Sequence, residues 1–143
     1  MIQNEVSPRG RPDILLTSPP ETAPLVFVIE DDPAVLSGIV FALEADGFSV
    51  RPFARARDAA RAGDLDAAAC LIVDQRLPDE FGLTMLQRLR SAGSRVPAVL
   101  ITSDPPGPVR RAAAALGVPI VEKPLIGETL FDCVRSLVSA RRV

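Results

Sequence analysis

Histidine, tryptophan and tyrosine are all absent from this sequence of 143 residues. Without histidine, the chain has no Ser-His-Asp or Cys-His nucleophilic site of its own, and any phosphohistidine chemistry must come from a partner. With aromatic residues at only 4%, few rings are available to stack on single-stranded nucleic acid. The net charge of −2 gives no electrostatic reason to expect nucleic acid or an anionic membrane as a partner.

Long apolar runs and cysteines are also scarce. No run approaches the roughly 20 apolar residues that a membrane-spanning helix needs. The N-terminus lacks the charged-then-apolar pattern of a secretion signal, so we expect a cytoplasmic protein. Cys70 and Cys133 lie far apart within apolar segments, which favours buried free thiols over a disulfide or a zinc site.

Proline, in contrast, is concentrated at the start of the chain. Residues 1–24 hold five of the 14 prolines, together with glycine, serine and scattered charges. Because proline removes a backbone donor and fixes φ, we predict a flexible tail there, in which only Ile14–Leu16 could pack against a domain. The domain itself is predicted over residues 25–143, with no output domain after it.

From residue 25 onward, short apolar runs alternate with helical patterns. The predicted strands are Leu25–Ile29, Phe48–Phe53, Ala68–Val73, Pro97–Ile101 and Val118–Val121. The first predicted helix begins at Asp32-Pro33. The other four predicted helices cover Arg55–Ala62, Phe81–Ala92, Val109–Leu116 and Gly127–Ala140. The stiff segment 104–108 predicts that the fourth helix starts late and is short. Five strands alternating with five helices predict an α/β fold with a doubly wound parallel sheet.

Polar residues follow four of the five strands, at the edge where a doubly wound sheet carries its site. They are Glu30, Asp31 and Asp32, then Asp74, then Thr102 and Ser103, and finally Glu122 and Lys123. Crowded carboxylates repel one another, and Mg²⁺, which prefers oxygen ligands, relieves that repulsion. A phosphoryl group would satisfy the cation and the lysine together, and an aspartate can accept it as an acyl phosphate.

Four motifs, in order, resemble those of the response-regulator receiver family over residues 25–140. They are Val28–Pro33, Leu71–Pro78 with Gly82 beyond it, Leu100–Ser103 and Val121–Pro124. The resemblance implies a flavodoxin-like receiver fold with strand order 2-1-3-4-5 and a role in two-component phosphorelay signalling.

The resemblance also implies a metal site and a phosphorylation site. Asp74 would be phosphorylated. Asp31, Asp74 and the backbone carbonyl of Arg76 would bind Mg²⁺ or Mn²⁺, and Glu30 would act through a metal-bound water. Asp32 is equally well explained as a helix cap.

Further residues would bind the phosphoryl group or tune its lifetime. Lys123 and Thr102 would contact the phosphoryl oxygens, and Pro124 follows a peptide bond that is often cis in this family. The side chains of Arg76 and Asp104 could pair across the pocket and prolong the lifetime of the phosphorylated state.

Two positions depart from the family pattern. Glu30 stands where the family usually has aspartate, which keeps a carboxylate on a longer arm. Ile120 stands where the family often has tyrosine or phenylalanine, so the usual aromatic switch is missing. The first helix is also more apolar than one buried face requires. Its extra apolar residues either reflect ordinary core packing with a few tolerated exposed residues or form a docking face for a kinase or phosphotransfer helix.

We therefore expect a phosphoacceptor switch that catalyses only its own phosphoryl transfer and autodephosphorylation. Its partners would be a sensor histidine kinase or phosphotransfer protein and an unknown downstream protein, with the chain a monomer or a weak homodimer. The alternative is a pseudo-receiver, a binding module that phosphorylation does not regulate. A Mg²⁺-dependent phosphatase would want an aspartate two residues after its nucleophile, where this chain has Arg76.

Overall fold

A computed structural model describes residues 23–142. Nearly all of the predicted tail lies outside the described residues, and its flexibility stays a prediction. The strands are β1 Leu25–Ile29, β2 Ser49–Phe53, β3 Cys70–Asp74, β4 Ala98–Thr102 and β5 Ile120–Glu122. The helices are α1 Pro33–Ala45, α2 Ala56–Ala60, α3 Gly82–Ser91, α4 Gly107–Ala115 and α5 Thr129–Arg142.

The five strands form one sheet in the order β2-β1-β3-β4-β5, and every neighbouring pair is parallel. Side chains alternate between the two faces of each strand, so each face has its own apolar cluster. Phe27 and Leu71 belong to one cluster, while Val26 and Ile72 belong to the other. The predicted doubly wound sheet with strand order 2-1-3-4-5 is confirmed.

Helix α1 begins as the sequence predicts. The Asp32 side chain accepts hydrogen bonds from the backbone N–H groups of Ala34 at 2.9 Å and Val35 at 3.2 Å. Pro33 fits the first turn, where no N–H is needed. Gly47, with φ of 93°, follows the end of the helix in a conformation that favours glycine. The start of α1 at Pro33 leaves Glu30 and Asp31 in the short turn between β1 and α1.

The sequence was less informative about the bounds of several segments. A 3₁₀ turn at Leu65–Ala67 was not predicted. Helix α4 begins at Gly107, two residues before its predicted start, because Pro108 occupies its first turn, where a proline ring is accommodated. Strands β3 and β4 each run one residue further than predicted, to Asp74 and Thr102.

Both cysteines are free thiols, as predicted, but burial was predicted correctly only for Cys70, since Cys133 is half-buried. Burial raises the pKa of Cys70 to about 12. Within residues 23–142, no helix is both long enough and apolar enough to cross a membrane.

Candidate functional site

The carboxyl ends of β1, β3, β4 and β5 surround one polar cavity of about 290 Å³. It is lined by Glu30, Asp31, Asp32, Asp74, Arg76, Thr102, Ser103 and Lys123. The parallel sheet brings these residues together from four separate stretches because all of its strands end at the same edge. Most of the residues singled out in the sequence therefore share this cavity.

Three carboxylates form the acidic side of the cavity. Glu30, Asp31 and Asp74 each offer an oxygen, and these oxygens lie within 4.8 Å of one another. Glu30 is 0% exposed and Asp74 is 4% exposed, whereas Asp31 is open to solvent. Burial raises the pKa of Glu30, and the nearby charge of Asp74 adds to that effect. The protein thus holds negative charge where water screens it poorly.

Lys123 is the single lysine of the chain, and it reaches both buried carboxylates. Its Nζ lies 2.9 Å from Glu30 Oε1 and 3.3 Å from Asp74 Oδ1. Burial alone would lower the pKa of Lys123, but the hydrogen bond with Glu30 and the charge of Asp74 outweigh it and raise that pKa. The backbone N–H of Lys123 donates to the Thr102 carbonyl at 2.8 Å. The Lys123-Pro124 peptide bond is cis, the isomer implied by the resemblance.

Both carboxylate oxygens of Glu30 have partners within the protein. Oε2 accepts from the Asp32 backbone N–H at 3.1 Å, and Oε1 forms an ion pair with Lys123 Nζ at 2.9 Å. One ammonium against three carboxylates still leaves the cluster net negative. A hard divalent cation with oxygen ligands would balance that charge, so the residues present suit Mg²⁺ or Mn²⁺.

Gly82 fits closely against the backbone of Asp74. A Cβ at this position would lie 2.3 Å from the Asp74 carbonyl oxygen and 2.8 Å from Val73 Cγ1. A glycine here therefore lets α3 begin directly against the end of β3.

Gln75 ties the same turn together, a role that the sequence did not reveal. Its side-chain oxygen accepts from the Leu83 N–H at 2.8 Å, while its carbonyl accepts from the Gly82 N–H at 2.9 Å. Phe81, the N-cap residue of α3, makes no side-chain hydrogen bond. Gln75, at the start of the loop, instead accepts from the first N–H groups of α3, which need an acceptor.

The β4 side of the cavity carries the proposed switch residues. Thr102 is 5% exposed and lines both the polar cavity and a neighbouring cavity of about 360 Å³. Asp104 lines only the second cavity and has a left-handed backbone, with φ of 40°. Arg76 lines both, but no ion pair joins it to Asp104 in this part of the chain, so the effect of this pair on lifetime stays a prediction. Ile120 is half-buried and packs against the apolar cluster on its face of the sheet.

The apolar residues of α1 divide between the core and the surface. Ile39 and Leu43 are buried, whereas Phe41 is 76% exposed. Between α1 and α5 lies a mainly apolar groove of about 420 Å³, which reaches Lys123 at one end. Part of α1 therefore packs in the core and part is exposed, and the role of the exposed part as a docking face stays a prediction.

The chain is similar to several known regulators. It is 28% identical over 117 residues to the response regulator protein TodT of Pseudomonas putida, which covers 81% of this chain and 52% of that protein. It is 31% identical over 118 residues to the transcriptional regulatory protein FixJ of Azorhizobium caulinodans, covering 82% of this chain and 56% of that protein. The chain thus spans about half the length of these relatives.

Solved structures agree with the fold. The response regulator StyR superimposes with a TM-score of 0.73 at 30% identity, covering 85% of this chain and 63% of that chain. A CheY-like receiver domain protein from Methanospirillum hungatei does so with a TM-score of 0.75 at 17% identity, covering 85% and 98%. The family model of the response regulator receiver domain matches residues 26–135. The chain belongs to the response regulator receiver domain family.

Proposed function

We propose that this receiver domain is a phosphoacceptor switch in which Asp74 is the residue phosphorylated. The observation that carries the proposal is Lys123, the only lysine, held within 3.3 Å of Asp74 and 2.9 Å of the buried Glu30. An ammonium between two carboxylates is well placed to form an ion pair with the oxygens of a phosphoryl group bound at Asp74.

The phosphoryl group would come from a partner's phosphohistidine. An Asp74 carboxylate oxygen would attack the phosphorus, forming the P–O bond as the P–N bond breaks, and the leaving imidazole would take up a proton. Since these 143 residues include no histidine, the phosphoryl donor must be a phosphohistidine outside them or a small-molecule phosphate. Receiver domains interact with histidine kinases or phosphotransfer proteins, and we assign that class of partner here.

Receiver domains bind Mg²⁺ at their acidic pocket, and Asp31, Asp74 and the Arg76 backbone carbonyl would hold the ion here. Glu30 would act through a water on the metal. The cation, which could also be Mn²⁺, supplies positive charge against the phosphoryl oxygens. Lys123 and Thr102 would orient those oxygens.

Output would then depend on Thr102 moving toward the phosphoryl group. Ile120 lacks the ring that usually follows this movement, so the change on β5 would be transmitted by aliphatic packing alone. The signal would pass to an unknown downstream protein through protein contacts in the cytoplasm, from a monomer or weak homodimer. We expect no nucleic-acid or membrane contact by this domain, and no catalysis beyond its own phosphoryl transfer and autodephosphorylation.

A pseudo-receiver is the second candidate. It is favoured by the combination of Glu30 for the usual aspartate and Ile120 for the usual aromatic residue. In that case Lys123 would serve as a structural partner of Glu30, and binding would not depend on phosphorylation.

Intact-mass spectrometry after incubation with acetyl phosphate separates the two. We expect one phosphoryl adduct in the wild type, only with Mg²⁺, and none in Asp74→Ala. Asp64→Ala, at an aspartate outside the cavity, is the matched control and should be modified like the wild type. Folded wild-type protein that gains no adduct would instead support the pseudo-receiver.

A further inference from the structure

The loop between β3 and α3, residues 75–81, is attached to a distant helix through Asp79. Asp79 Oδ1 accepts a hydrogen bond from the Ala56 N–H at 3.1 Å, and Oδ2 accepts from the Arg57 N–H at 2.9 Å. Ala56 and Arg57 are the first two residues of α2. The Asp79 side chain is only 12% exposed, and its contact with the Ala56 N–H is partly buried. The loop that follows Asp74 is thereby joined to α2.

Helix α2 has no cap of its own. Arg55 occupies the N-cap position with an extended backbone and makes no side-chain hydrogen bond there. The first N–H groups of a helix need an acceptor, and Asp79 supplies it from more than twenty residues away. Burial alone would raise the pKa of Asp79, but the hydrogen bonds from Arg57 and Ala56 lower it, so its charged form is favoured.

Other contacts tie this loop to α3 and close its ends. Gln75 is bonded to the start of α3, and Arg76 and Phe81 face each other in an isolated antiparallel bridge. In the tip, Glu80 pairs with Arg88 of α3 at 2.6 Å. Asp79 is the contact that joins the tip to α2. Its removal would release the tip from α2, three residues beyond Arg76, which borders the polar cavity.

We propose that Asp79 is a positioning residue for the Asp74 site, which it serves by anchoring the β3–α3 loop on α2. Asp79 lies three residues after Arg76, whose backbone carbonyl is the third assigned metal ligand, so the inference rests on the proposed function. Some residues contact a metal ligand and orient it without binding the metal themselves. Their loss typically weakens metal affinity by roughly 10–100-fold.

Asp79→Ala tests the anchor, and Asp46→Ala is the matched control. Asp46→Ala likewise removes a carboxylate contact, to Arg135 at 2.7 Å, but Asp46 lies away from the polar cavity. Mg²⁺ affinity is measured by titration of the backbone amide NMR signals of Asp74 and Arg76. We expect about tenfold weaker Mg²⁺ binding and slower acetyl-phosphate labelling in Asp79→Ala, and neither change in Asp46→Ala. Asp79→Asn, which keeps one acceptor, should lie between Asp79→Ala and the wild type.

A second substitution separates positioning from helix stability. Arg55→Asp gives α2 a local N-cap, so adding it to Asp79→Ala should restore the urea midpoint without restoring Mg²⁺ affinity. Recovery of both would overturn the proposal, as would wild-type Mg²⁺ affinity in Asp79→Ala. Failure of the proposed function looks different: the wild type itself would then take no phosphoryl group, whatever the Mg²⁺ affinities of the variants.

Discussion

Replacing Gly82 with alanine should damage both stability and phosphorylation. The new Cβ would lie 2.3 Å from the Asp74 carbonyl oxygen, so it must move by about 1 Å to reach the roughly 3.3–3.6 Å of an ordinary carbon–oxygen contact. Neither neighbour can move easily, because Val73 is a fully buried, β-branched side chain and the carbonyl belongs to the backbone of Asp74. Overpacking costs about 1–3 kcal/mol, which the better helix propensity of alanine offsets by at most about 1 kcal/mol.

The same movement would displace the residue that accepts the phosphoryl group. A displacement near 1 Å at a reacting group can slow a reaction by about 10²-fold. We therefore expect Gly82→Ala to lower the free energy of unfolding by about 1–2 kcal/mol and to slow acetyl-phosphate labelling by at least about tenfold. Urea unfolding followed by far-ultraviolet circular dichroism and timed intact-mass spectra measure the two effects.

Gly38→Ala is the matched control. Gly38 lies within α1, and a Cβ there would meet nothing within 4 Å. Alanine should stabilise this helix by about 0.5–1 kcal/mol and leave labelling unchanged. If Gly82→Ala behaved like Gly38→Ala in both assays, the close approach of α3 to Asp74 would have no functional role and the reasoning would fail.

Two further predictions concern parts of the fold away from the cavity. The pKa of Cys70 is raised to about 12 by burial. A thiol reagent at pH 8 should therefore modify the half-buried Cys133 first and Cys70 only on unfolding, and equal rates in peptide mapping would contradict this. Arg51 lies 5.6 Å from the centre of the Phe27 ring and 2.6 Å from Asp64. Arg51→Ala should lower the free energy of unfolding by about 1–2 kcal/mol, whereas an unchanged urea midpoint would show that these exposed contacts stabilise nothing.

The features that could be predicted from sequence are those set by local pattern. Alternating apolar runs were enough for the strand and helix order, and the cap at Asp32 follows from residue type alone. Glu30, Asp74 and Lys123 could be brought together in advance because parallel strands share one edge. Each of these inferences needs only the neighbours of a residue along the chain and a rule about sheets.

What could not be predicted depends on partners that are distant in sequence. Asp79 reads as an ordinary loop aspartate until the fold brings it to Ala56, 23 residues earlier. Gln75 likewise gains its capping role only once the loop closes on Leu83. Strand ends were misjudged for a similar reason. The Gln75 N–H bonds to the carbonyl of Ile101 on β4, and such a contact extends a strand beyond its apolar run.

The presence of a single lysine has a practical consequence for chemical labelling. An amine-selective reagent can modify only Lys123 and the terminal α-amine of this chain. Lys123 is held between Glu30 and Asp74, with 23% of its side chain exposed. Its acylation rate therefore reports directly on how tightly the carboxylates hold it. A phosphoryl group or a cation that redistributes these contacts would change that rate. Acylation of Lys123 in the wild-type protein would therefore report whether the site is occupied, without any added label.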